Sequence, residues 1–125
     1  MVNLFFNSEK SIEEVAVLFF SKMNISDYLE GESSNVLGGY YYCGSFFGNE
    51  IKLEKNSYDY EELFNYMVHI DKRIKVETEN DAYSEKRLAG MVVSILYNEL
   101  DMEVALEIND GLLRVNSDNI NELKF

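Results

Sequence analysis

Nucleophilic catalysis needs a nucleophile, a base and a group that orients the base. This sequence holds one thiol and one imidazole, Cys43 and His69. Cys43 stands inside the aromatic run Tyr40-Tyr41-Tyr42-Cys43-Gly44, where hairpin pairing is expected to set Glu54 against it. A neighbouring carboxylate raises a thiol's pKa and opposes activation, so Cys43 reads as structural. His69 falls on the more polar side of Tyr66-Met67-Val68-His69-Ile70 and reads as a surface or partly buried histidine. A zinc centre needs three or four ligands, so no metal is expected. Gly38-Gly39 and Gly44 make neither a dinucleotide fingerprint nor a P-loop, and no cofactor is expected. Asp59, Glu61 and Glu62 lack the glycine and terminal glutamate of an EF-hand. A glycosidase pair cannot be singled out among 23 acids. None of these patterns singles out a catalytic centre.

What stands out instead is acids mixed with tyrosines. Tyr58-Asp59-Tyr60-Glu61-Glu62 places three carboxylates and two phenols on a stretch expected to be a loop, and Tyr28, Glu30 and Glu32 precede the same hairpin. Tyrosine is a rigid, amphipathic contact residue common at interfaces. Carboxylates beside it suit a surface rich in lysine and arginine, such as that of a nucleic-acid-degrading enzyme, and they speed encounter by steering. The plainer reading of these residues is a solvated acidic loop.

The balance of 23 acids against 11 bases gives a net charge of −12, the opposite sign from a nucleic-acid binder. At 125 residues the chain is one domain, and 46% hydrophobic content excludes wholesale disorder. A single cysteine fits a reducing cytosol. No apolar run approaches the ~20 residues of a membrane span, and Met1–Lys10 lacks a basic n-region followed by an apolar one, so neither membrane insertion nor a signal peptide is expected.

The elements that position these residues follow from periodicity. Val2–Phe6 is an edge strand or an apolar lead-in. Ser11-Ile12-Glu13-Glu14 is a capping box opening a helix over 11–23, whose Val17 and Leu18 widen the apolar face enough for a second layer or a partner to cover it. From Asn24 to Gly39 a long loop is expected, with a helical turn around Ser26–Glu30. Gly48-Asn49 reads as a two-residue hairpin turn, pairing residues whose numbers sum to 97 and grouping Tyr40, Tyr42, Gly44, Phe46, Ile51 and Leu53 on one face. Leu63–Val76 alternates as a third strand with Phe64, Tyr66, Val68 and Ile70 on one side. Ala82–Asn98 is a helix with Leu88, Met91, Val92, Ile95 and Leu96 as its stripe. Met102–Ile108, the turn Asn109-Asp110-Gly111 and Leu112–Val115 form a second hairpin. The sum is an α+β fold, an antiparallel sheet of about five strands with two main helices packed on it.

The segment Ser33-Ser34-Asn35, Gly38-Gly39-Tyr40-Tyr41, Gly44, Gly48 and Ile51-Lys52-Leu53-Glu54, followed by Tyr58-Asp59-Tyr60, resembles a pattern in immunity proteins of bacterial contact-dependent growth inhibition systems. The resemblance covers about 30 residues. It implies a single immunity-protein-like domain over 1–125, cytoplasmic and non-enzymatic. Its partner would be a cognate toxin's C-terminal domain, a nuclease with RNase favoured. The residues expected to carry that contact are Tyr58, Asp59, Tyr60, Glu61 and Glu62, with Glu30 and Glu32 as a second patch. The alternatives are a small ligand-binding α+β module, its ligand lined by Tyr40, Tyr42 and Gly44, or a non-catalytic adaptor. An exposed strand, Val2–Phe6 or Leu112–Val115, offers a further route by accepting a partner strand.

Overall fold

The computed structural model describes residues 2–33, 39–56, 63–72, 79–109 and 111–123. The elements are β1 (Val2–Asn7), α1 (Ile12–Lys22), β2 (Leu29–Glu32), β3 (Tyr40–Phe46), β4 (Asn49–Lys55), β5 (Tyr66–Lys72), α2 (Glu79–Ser94), β6 (Glu103–Ile108) and β7 (Gly111–Arg114), with α2 running on as a π-helical turn over Ile95–Glu99. All pairings are antiparallel, in the order β2-β3-β4-β5-β1-β6-β7. The α+β expectation holds, but the sheet has seven strands rather than about five.

The two added strands have different causes. β1 is not an edge: it lies between β5 and β6, and Leu4, Phe5 and Phe6 are all buried. Successive strand residues point to opposite faces, so three buried in a row require cover on both sides. β2 replaces the expected helical turn around Ser26–Glu30. Its four residues pair with Tyr40–Cys43, and a long-range ladder satisfies their backbone where local propensity alone favoured a turn.

The hairpin register shifts by two. Phe46 pairs with Asn49 and Tyr41 with Glu54, so the turn is Phe47-Gly48, not Gly48-Asn49. A two-residue shift preserves the faces, and Tyr42, Ile51 and Leu53 remain core. Cys43 now faces Lys52. The cost falls on Phe47, at φ 46 in the left-handed region that disfavours a bulky side chain, and it is 86% exposed. Asn tolerates that conformation, so Phe47→Asn is expected to stabilise the fold by about 1 kcal/mol, read as a rise in the midpoint of thermal unfolding.

Ser11 caps α1: the Glu14 amide donates to Ser11 Oγ at 3.2 Å, and Glu14 Oε1 reaches back to accept from the Ser11 hydroxyl at 3.3 Å. α1 lays Ile12, Val15, Ala16, Phe19 and Phe20 on the sheet. Gly44 is where it comes closest, since a Cβ there would lie 2.7 Å from the Phe20 ring. Val17 and Leu18 stay exposed, so α1 is not sandwiched. α2 adds Leu88, Ala89, Val92 and Val93, followed by Ile95 and Leu96 of the π turn, whereas Met91 is exposed. The helices therefore share one face of the sheet with the main core. The other face carries a small second cluster of Phe5, Phe64, Met67 and Ala105. Phe64 departs from its expected side because β5 begins only at Tyr66. No helix among the described residues is long and apolar enough to cross a membrane.

Candidate functional site

Tyr58, Asp59, Tyr60, Glu61 and Glu62 lie outside the described residues, but both stems of their segment are described. Its entry, Asn56, donates from its backbone amide to Asn65 O at 2.9 Å and from Nδ2 to Phe64 O at 3.0 Å. Its exit is tied to the β1–α1 connection. Asn7 Nδ2 donates to Leu63 O at 2.6 Å, and the Asn65 amide donates to Asn7 Oδ1 at 2.9 Å. Asn65 Nδ2 donates to Ser8 O at 2.8 Å and its Oδ1 accepts from the Ser8 amide at 3.2 Å. Beneath them, buried Phe64 sits 6.4 Å from the Phe5 ring, with the Arg114 guanidinium over it at 5.3 Å. Three asparagines thus satisfy the backbone groups that an irregular segment exposes. Asn56→Ala is expected to cost about 1–3 kcal/mol by leaving the buried Phe64 carbonyl unpartnered, measured by denaturant unfolding.

Glu30 and Glu32 are exposed on β2, at one edge of the sheet among the described residues. Glu32 pairs with Tyr40, the residue before Tyr41, which faces Glu54; Lys55 faces Tyr66. Glu32 and the stem residue Asn56 therefore lie at the same end of the sheet, two strands or about 10 Å apart. Glu30 lies further along, on the helix side. The Tyr42 phenol is held above its ordinary value of 10.0 first by burial, then by Glu30 and Glu13. Tyr66, whose hydroxyl donates to Lys10 O at 2.7 Å, is raised first by burial and then by Glu14. Both phenols favour the folded state below pH 10, an advantage lost as pH rises through their raised values.

A polar relay on the open sheet face was not foreseen from sequence. Asn3 Nδ2 donates to Glu107 Oε1 at 3.2 Å, and Asn3 Oδ1 faces His69 Nδ1 at 2.6 Å. His69 Nε2 lies 2.6 Å from Glu54 Oε1. Lys52 Nζ reaches Glu54 Oε2 at 3.7 Å and stands 4.5 Å over the Tyr41 ring. Both imidazole nitrogens face oxygens, so both bonds form when each nitrogen carries a proton. Glu54 is 3% exposed. Burial works to raise its carboxyl, but the His69 hydrogen bond and the Lys52 and His69 charges outweigh burial and hold it below 4.5. The signal was Glu54 itself: an acid in a strand flanked on both sides must find a partner. Which partner depends on the register of β4 against β5, which the β3–β4 hairpin does not set.

Both ring nitrogens are engaged inside the protein, and the relay ties β1, β4 and β5 together across the sheet. No group of three or more metal-ligating side chains occurs among the described residues. The space over Gly44, expected to line a ligand pocket with Tyr40 and Tyr42, is filled by Phe20 and Ile25. Of the two strands expected to offer a free edge, β7 is terminal and β1 is central. The chain matches no family model, and it matches neither a curated protein nor a solved structure with which it was compared.

Proposed function

We propose that this chain is an immunity protein that binds and neutralises a cognate bacterial toxin domain. The toxin is a basic nuclease, RNase favoured, and the acidic, tyrosine-bearing patch covers its basic surface. The observation that carries the reading is placement. The residues that flank Tyr58–Glu62, Asn56 before it and Leu63, Phe64 and Asn65 after it, are held by asparagine hydrogen bonds at the sheet end that also presents Glu32, and the net charge is −12. Anchored ends suit a contact segment, because fixing the ends in advance lowers the entropy lost on binding. The resemblance of Ser33–Glu62 to growth-inhibition immunity proteins points the same way, and such a protein acts in the cytoplasm.

The test is to express the gene immediately upstream alone and together with this one. Toxicity relieved by co-expression, with a complex that co-purifies, is expected. Toxicity without rescue, or no toxicity at all, overturns the proposal.

A further inference from the structure

α1 carries more apolar surface than the sheet covers. Val17 is 57% exposed and stands on the wall of a cavity of about 310 Å³ between α1 and the segment entering β2. Its floor is Phe20, Ile25 and Tyr28, with the Tyr28 ring stacked on Phe20 at 4.5 Å and 12°. That volume leaves room for one large side chain.

The rim is acidic. Glu13 precedes Val17 by one helical turn, and Glu30 projects from β2 on the same side of the sheet. Glu30 pairs with Tyr42, whose ring lies 6.3 Å from that of Tyr28 on the cavity floor, and Glu13 also acts on the Tyr42 phenol. Asp27 is exposed on the segment between Ile25 and Tyr28. An apolar slot framed by carboxylates complements a segment that carries one bulky apolar residue between lysines or arginines. A second copy of this chain is a poor occupant, since each copy carries a charge of −12 and the copies repel.

We infer that the groove between α1 and β2 is a docking slot for a basic segment of a partner protein, which inserts one bulky apolar side chain against Val17 and Tyr28 and sets its cations against Glu13 and Glu30. The inference does not require the partner to be a toxin.

The test uses a 12-residue peptide of alternating Arg and Leu and a length-matched all-Arg peptide, each titrated into the full chain by fluorescence anisotropy and amide NMR. The Arg-Leu peptide is expected to bind at least tenfold tighter, shifting the amides of Val17, Phe20, Ile25 and Tyr28. Val17→Asp is the deciding variant. It adds a negative charge, so electrostatic attraction alone predicts tighter binding, whereas insertion predicts at least tenfold weaker. Val17→Gln, which keeps the charge, is expected to weaken binding as well, and Glu30→Gln likewise. Thermal unfolding verifies that each variant stays folded. Equal affinity for the two peptides, unchanged or tighter binding by Val17→Asp, or shifts centred elsewhere would overturn the inference. Self-association abolished by Val17→Asp would place a second copy in the slot and overturn it too.

Discussion

Replacing His69 by alanine is expected to cost about 3–5 kcal/mol of folding stability, because it leaves the Glu54 carboxylate buried without its main partner. Glu54 is 3% exposed, and His69 Nε2 lies 2.6 Å from its Oε1. Lys52, 3.7 Å from the other oxygen and 30% exposed along its side chain, only partly compensates. Replacing both members by apolar residues, His69→Leu with Glu54→Met, is expected to cost less than His69→Ala alone, since no charge is then left buried. Denaturant unfolding of the two variants checks this ordering. The reverse order would mean that the relay does not act as a pair.

The same pair sets an acid limit. Glu54's pKa lies below 4.5 in the folded protein. Between the unfolded and the lowered value the unfolded chain binds more protons, so stability falls as pH falls. The contribution is in place above the ordinary carboxylate range and disappears as pH drops through the folded value. Glu54→Gln is expected to be less stable at neutral pH and to show a shallower loss below about pH 4.5. Unfolding curves at several acid pH values measure the difference.

Reversing charge in the proposed contact segment, Asp59→Lys with Glu61→Lys, is expected to weaken toxin binding by about 2–5 kcal/mol if those acids become buried against toxin cations. At the rim the loss would instead appear in the association rate and its salt dependence. The variant is expected to stay folded, with the bonds that Asn7, Asn56 and Asn65 make to the described stems left in place. Binding kinetics at two salt concentrations, with thermal unfolding of the variant, separates the outcomes. Undiminished protection of toxin-expressing cells would remove this segment from the contact.

The parts of the fold legible in sequence were those where one local pattern had one solution. Ser11-Ile12-Glu13-Glu14 opened α1, and the alternation of Met102–Ile108 became β6. The core face of the β3–β4 hairpin was also legible, even with the wrong turn, since sums of 95 and 97 leave every side chain on the same face. What escaped depended on distant partners. Val2–Phe6 has the same composition whether it is an edge or a centre; only burial on both faces decides. Leu29–Glu32 has no strand pattern of its own and is recruited by β3.

The site divides in the same way. The acid and tyrosine content of Tyr58–Glu62 is visible in the sequence, but that segment lies outside the described residues, so what the structure adds is its anchoring. The asparagines that clamp its stems read in sequence as ordinary polar residues, because Asn7 and Asn65 act on backbone groups 56 to 58 positions away and Asn56 on one 8 positions away. His69 and Glu54, 15 residues apart, meet only once β4 and β5 are in register.

The most direct test of the central claim is the dissociation constant of the purified chain with the purified product of the upstream gene, measured by calorimetry at low and at high salt. The account predicts a stoichiometric complex whose affinity falls as salt rises, as acids meeting a basic surface require. No complex, or one indifferent to salt, would contradict it.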